Sequence, residues 1–165
     1  NGAARRLREL RAEMAGKRVD TLNKAPMSLM CADLAVVGTY TLLDQPRFRF
    51  VKSMLPGPYT IILPASRMVP KMLQSKRRDV GVRMPDHPVT LGILDALDAP
   101  VLAATCQRAD GELLASSPDV EGAIGRHLAA IVETEPIVPD VSTIIDYTGE
   151  EPSLVRLGKG PAESL

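Results

Sequence analysis

Cysteine and histidine are scarce in this sequence: Cys31, Cys106, His87 and His127 are the only ones among 165 residues. A multi-histidine metal centre and a paired Cys-x-x-Cys site are therefore excluded, and no HExxH helix is present. Each cysteine ends an apolar run, so both are expected to be buried, reduced thiols rather than disulfide partners or metal ligands. No apolar run approaches the roughly 20 residues of a membrane helix. No secretory apolar segment opens the chain. The expectation is a soluble, cytoplasmic protein with no membrane partner. A glycine-rich phosphate loop and a dinucleotide fingerprint are missing, and no serine stands in a nucleophile elbow. Net charge is missing too: 20 Lys and Arg balance 20 Asp and Glu. That balance by itself does not announce a nucleic-acid binder.

What is present is an ordinary globular composition, 45% hydrophobic and 24% charged, at a length that suits a single domain over residues 1–165. The charges are segregated. Arg5, Arg6, Arg8, Arg11, Lys17 and Arg18 crowd the start, while Glu133, Glu135, Asp140, Asp146, Glu150 and Glu151 crowd the end. A neutral total can thus conceal one basic face. Asn1-Gly2 runs at once into a helical pattern, with no initiator Met and no leading strand. This reads as a chain cut inside a domain or a shortened gene product.

Along the chain, AARRLRELRAEM at 3–14 sets Leu7, Leu10 and Met14 on one face of an amphipathic helix. A loop over 15–26 leads into a short buried strand, MSLMC, at 27–31. Asp33 is suited to cap a short helix through Leu34 to Val37, and Asp44 with Pro46 to start one that runs to Leu55, with Phe48, Val51 and Leu55 on one side. Pro56-Gly57-Pro58 stops that helix, and YTIILPA follows as a strand. One or two helical turns are expected at Met68–Leu73. DVGVRM at 79–84 alternates like a strand, and Asp86-His87-Pro88 caps a helix to about Leu97. PVLAAT at 100–105 is a buried strand. Ser117-Pro118-Asp119 opens a helix to about Leu128, and Ala130–Val132 is a short strand. Two late strands, Val141–Asp146 and Leu154–Arg156, are joined by a turn at Thr148–Glu150. About seven strands interleaved with four or five helices predict an α/β or α+β sheet with helices packed on it.

Chemistry in such a fold collects where strands end. Arg83 ends an otherwise apolar strand; its fork of donors suits a carboxylate or phosphate, or a salt bridge to a nearby acid. Thr105 and Gln107 bring a hydroxyl and an amide to a turn, where they serve either an anion or the turn itself. Ser142 opens a strand. Arg156 closes one before Gly158 and Gly160, which allow close backbone approach or a tight turn. If their strands are neighbours, Arg83, Thr105, Ser142 and Arg156 form a polyanion site.

In order and spacing, LPGPYTIILPAS, VGVRMPDHP, APVLAAT and STIIDYTGEEPSLVRLGKG resemble the YrdC/YciO family. KAPMSLMC and AARRLRELRA resemble its early strand and the helix before it. MSLMCADL, TYTLLD and Lys76-Arg77-Arg78 point to the YciO branch. The resemblance covers nearly the whole chain and implies a twisted, open mixed sheet with a concave basic groove. It also implies kinship with threonylcarbamoyl-AMP synthases, which join L-threonine, bicarbonate and ATP, with Mg²⁺ accompanying the ATP, in the route to threonylcarbamoyladenosine in tRNA. Members have also been described as binding double-stranded RNA or tRNA.

By the same resemblance, Arg83 and Ser142 fall on the L-threonine pocket, and Arg11, Thr105, Gln107 and Arg156 on the nucleotide site. The synthases' Lys-x-Arg pair reads Arg11-Ala12-Glu13 here, and a carboxylate there repels a triphosphate by about 1 kcal/mol or more at short range. Their Ser-x-Asn reads Thr105-Cys106-Gln107, keeping hydroxyl and amide. Their N-terminal strand, with its Thr-Asp-Thr and Tyr, has no counterpart. Lys17, Arg18 and Lys24 stand in the loop where replacement charge would lie. Three readings stay open: a nucleotidyltransferase-type synthase using ATP and Mg²⁺, a catalytically weakened module for a nucleotide, double-stranded RNA or tRNA, and a folded piece with no activity. A homodimer is compatible with each.

Overall fold

A computed structural model of the chain describes residues 27–69, 77–108, 110–133 and 140–163. The helix expected over 3–14, the loop over 15–26 and residues 70–73 of the expected turn lie outside that set. The chain divides into two compact units, one of Met27–Ala103 with Val141–Leu165 and one containing Ala104–Asp140. Each is described by itself.

The first unit is built on six strands: β1 (Ser28–Met30), β2 (Tyr59–Pro64), β3 (Asp79–Arg83), β4 (Val101–Ala103), β5 (Thr143–Asp146) and β6 (Ser153–Arg156). They form an open mixed sheet in the order β4-β1-β3-β2-β5-β6. β1 pairs parallel to β3, and β2 parallel to β5; the other neighbours are antiparallel. This is the α/β sheet that the interleaved pattern implies. It has one strand fewer among the described residues than the expected seven. Ala130–Val132 makes no sheet pairing, and Val132 is exposed at 59%. Three residues with no neighbour to share their ladder bonds do not form a strand.

Side chains alternate across the sheet, because successive residues of a strand point to opposite faces. Leu29 and Cys31, Ile61 and Leu63, Val80 and Val82, and Ile145 and Tyr147 share one buried cluster. Helices α1 (Leu34–Tyr40) and α2 (Gln45–Met54) cover it with Val37 and Val51, joined by Leu55 just beyond α2. Both helices start as expected. The Asp33 carboxylate accepts from Val36 N at 2.8 Å, and that of Asp44 from Arg47 N at 2.9 Å. α1 runs three residues past Val37. It closes at Thr41, whose N–H and hydroxyl both donate to the Val37 carbonyl.

The apolar stripe of α2 is rotated from the expected one: Val51 and Leu55 are buried, whereas Phe48 is 39% exposed. Phe50 meets the core instead, edge-on to Tyr147 with centroids 5.2 Å apart. α3 (Pro88–Leu97) begins at His87, whose side chain makes no capping bond; Pro88 at the first turn supplies the start signal. In the second unit α4 (Ser117–Ile124) is capped by Ser116 rather than Ser117. It tightens into a 3₁₀ turn at Gly125–His127, short of a regular helix to Leu128. Among the described residues, no helix is long and apolar enough to cross a membrane.

Two ties hold the far end of the sheet. Arg47 donates to the carbonyls of Tyr147 at 3.0 Å and Gly149 at 2.6 Å, and its guanidinium lies 5.2 Å from the centre of the Tyr147 ring. The second tie is Thr143, fully buried. Its hydroxyl accepts from Gly158 N at 2.9 Å and donates to the Gly160 carbonyl at 2.5 Å. Lys159 N donates to Val141 O, and the Tyr59 hydroxyl to Pro161 O. The segment after β6 is thereby strapped against the start of β5. It fits only because two glycines lack side chains. A Cβ on Gly158 would stand 2.2 Å from Val141 O, and one on Gly160 2.4 Å from the Tyr59 ring.

Gly158→Ala is expected to destabilise the protein by about 1–3 kcal/mol or more through this overlap. Gly38→Ala in α1, where an added Cβ meets nothing within 4 Å, is expected to be neutral or to stabilise by up to about 1 kcal/mol. Urea unfolding of the two variants checks the contrast.

Candidate functional site

The face of the sheet opposite the core carries Ser28 on β1, Arg83 on β3, Thr60 on β2 and Arg156 on β6, with Ile62 and Ile144 among them. Register places Thr60 beside Ile144, Gly81 beside Ile62 and Ser28, and Arg156 beside Ile144. Alternation puts Arg83 on the same face, two residues from Gly81. Gly81 matters here because it carries no side chain between Thr60 and Ser28; a Cβ there would already lie 3.3 Å from the Thr60 methyl. Arg83 at the end of β3 and Arg156 at the end of β6 are both half-buried. Burial first, and then the like charge of Arg156, lower the pKa of Arg83 from its ordinary value.

Partners are unevenly shared. Arg156 donates from Nη2 to the Ser142 carbonyl at 2.8 Å, while its Nε is buried with no hydrogen-bond partner among the described residues. The Thr60 and Ser142 hydroxyls are joined at 2.8 Å. Among the described residues, no carboxylate pairs with Arg83: the ion pairs there are Arg47–Asp44, Arg77 with Asp79 and Asp146, and Arg108–Glu112. A salt bridge was one of two sequence readings of Arg83, and none forms among the described residues. Two half-buried guanidiniums with donors to spare cost free energy in this arrangement. An anion that accepted from both would repay that cost.

Of the expected site residues, the sheet brings together Arg83, Ser142 and Arg156. It adds Thr60, which sequence reasoning missed. Its signal was the alternation of YTIILP, which sends Thr60 and Ile62 away from buried Tyr59, Ile61 and Leu63. Thr105 and Gln107 belong to the other unit. Thr105 does not end a strand, since β4 stops at Ala103. Gln107 bridges to Leu113, and Cys106 O accepts from Leu114 N, so this segment doubles back as a turn. Arg11 lies outside the described residues.

The cysteines separate in the same way. Cys31 is buried as expected, its thiol pushed up to about 12 first by burial and then by Asp33. Cys106 is exposed, because the run it ends leaves the sheet three residues earlier. Among the described residues, no group of three or more His, Cys, Asp or Glu is placed to hold a metal ion.

With this geometry in view, similarity to known proteins becomes specific. The Sua5/YciO/YrdC family model, described as "Telomere recombination", matches residues 10–158. The chain belongs to the Sua5/YciO/YrdC family. It is 33% identical over 135 residues to the uncharacterized protein YciO of Escherichia coli (strain K12), covering 81% of this chain and 66% of that one. It is 31% identical over 115 residues to the threonylcarbamoyl-AMP synthase of Pyrococcus abyssi (strain GE5 / Orsay), covering 69% of this chain and 34% of the synthase. Its fold matches the crystal structure of E. coli YciO with a TM-score of 0.77 at 30% identity, over 83% of this chain and 68% of that one. The chain thus spans about two thirds of the YciO relative and one third of the synthase. Membership explains why four separated motifs occur in a fixed order: they are the strand ends of one sheet.

At the other end of this face, Asp146 anchors the β5–β6 turn. Burial pushes its carboxyl up, but the hydroxyl and N–H of Thr148, at 2.7 and 2.9 Å, and the Arg77 guanidinium outweigh it, so its pKa is lowered. A lowered carboxyl contributes stability that is present above its unfolded value and is lost as pH falls through the folded one. Asp146→Asn is therefore expected to flatten the acid limb of the stability–pH profile below the ordinary carboxylate range, with little further change in that slope at neutral pH. Melting temperature measured from pH 7 down to pH 2 checks this.

Proposed function

We propose that the Arg83–Arg156 face binds a nucleotide together with a small carboxylate, in the manner of a threonylcarbamoyl-AMP synthase. In this reading Arg83 takes the L-threonine carboxylate, with the Ser142 hydroxyl beside it, and Arg156 takes a phosphate of ATP. The observation that carries it is Arg83: half-buried, repelled by Arg156 and matched by no carboxylate among the described residues. Family membership supports it, since threonylcarbamoyl-AMP synthases are among the relatives.

Two guanidiniums fit the donor geometry of phosphates and carboxylates. Mg²⁺ would be held chiefly by the phosphates of its nucleotide, as is usual for this ion. What the residues supply is position and charge neutralisation: Arg83 and Arg156 hold two acids side by side, and the Thr60–Ser142 pair fixes the hydroxyl between them. Double-stranded RNA or tRNA is the alternative ligand, held by phosphate contacts alone.

Isothermal titration of the protein with ATP and Mg²⁺, with and without L-threonine, tests the reading. Saturable heat is expected, strengthened by L-threonine. Arg83→Met and Arg156→Met are each expected to weaken binding at least tenfold, and relief of the guanidinium repulsion should leave Arg83→Met as stable as the parent or more so. No heat at millimolar ATP sinks the nucleotide reading. Duplex RNA binding that weakens steeply with salt, in place of ATP binding, would transfer the site to the alternative.

A further inference from the structure

Among the described residues β6 stands at the edge of the six-stranded sheet, and its apolar side chains are exposed. Leu154 is 48% exposed, Val155 56% and Leu157 62%. An edge strand offers a row of backbone donors and acceptors to any strand that fits it. Soluble proteins usually blunt such an edge with charges, proline or a bulge. Here a register shift interrupts the pairing with β5 at Ile144 and Ile145, yet Leu154 and Val155, and Leu157 just beyond the strand, remain exposed. Arg156 itself is tied back to Ser142 in its own sheet.

The charges around the strand say what would fit. Glu150 and Glu151 precede it and Lys159 follows it, all exposed. A second copy of β6 running antiparallel about a two-fold axis brings the acidic end of each strand to the basic end of the other. Centred on Val155, Glu151 lies opposite Lys159. Centred between Leu154 and Val155, Glu150 does. Parallel pairing would set like charges side by side, which is destabilising across strands. Pro152 has no N–H to donate and confines the ladder to the stretch after it.

We infer that β6 is a self-association edge: it pairs antiparallel with β6 of a second copy of this chain, joining two sheets across an isologous interface. Centred on Val155, the two Val155 side chains meet and Glu151 meets Lys159 twice; centred between Leu154 and Val155, Leu154 of each copy lies opposite Val155 of the other and Glu150 meets Lys159 twice. The inference is independent of the ligand that the arginine face binds. Its consequence is that the strand carrying Arg156 is held from both sides.

Sedimentation velocity of the full chain over a range of concentrations, at low and high salt, is the test. A monomer–dimer equilibrium is expected, weakened by salt. Val155→Lys is expected to weaken it at least tenfold, and Lys159→Glu severalfold. Adding Glu150→Lys and Glu151→Lys to Lys159→Glu is expected to restore association, because both ends are then reversed together. Circular dichroism of each variant separates loss of pairing from loss of fold, and all of these positions are on the surface. A chain that stays monomeric at every concentration overturns the inference. So does a dimer that neither Val155→Lys nor the charge reversal moves, or a monomer that binds only a strand of a different protein.

Discussion

The alternation of side chains along four adjacent strands, β1, β3, β2 and β5, is the constraint on which the rest of this structure depends. One set of faces is packed dry by α1 and α2, with Leu29, Ile61, Val82 and Ile145 fully buried. Because register cannot slip by one residue without exposing all of these, the opposite set is held as firmly as the core. Arg83, Thr60 and Arg156 therefore owe their relative positions to aliphatic residues on the other side of the sheet. A polar site with no dense hydrogen-bond network of its own can still be well defined in this way.

The strap after β6 completes that arrangement. Thr143 spends its only hydroxyl on Gly158 and Gly160, and this draws the chain back over the start of β5, beside Ser142. Arg156 then reaches the Ser142 carbonyl, and Ser142 reaches Thr60. Arg47 performs the matching task at the β5–β6 turn. Stability and site geometry are thus coupled through a few buried polar bonds, and Arg83, half-buried and matched by no carboxylate among the described residues, is a group suited to an anion. Strain of that kind at a polar face is a common mark of a binding site.

Much of this was legible in the residues. The caps at Asp33 and Asp44, the stop at Pro56, and the strands around Ile61, Val82, Ile145 and Val155 follow from local chemistry, which needs only neighbouring residues to act. The family resemblance rested on the same strand-end motifs and holds for residues 10–158. Expectations failed where the deciding partner was distant. Phe48 yielded its place to Phe50 because Tyr147 is there to receive it. Cys106 is exposed because β4 ends before it. Ala130–Val132 has the residues of a strand but no neighbour to pair with.

By itself, then, the sequence determined the element types, their order, and the candidates Arg83, Ser142 and Arg156, since propensity, capping and period are carried by residues near one another. The tertiary structure alone decided that β3, β2, β5 and β6 are consecutive neighbours. From that come the approach of Arg83 to Arg156, the recruitment of Thr60 and the uncovered edge at β6. Those are matters of register between distant segments, as with Thr60 and Ser142, 82 positions apart. No local pattern encodes them, because pairing energy is paid between strands and not within them.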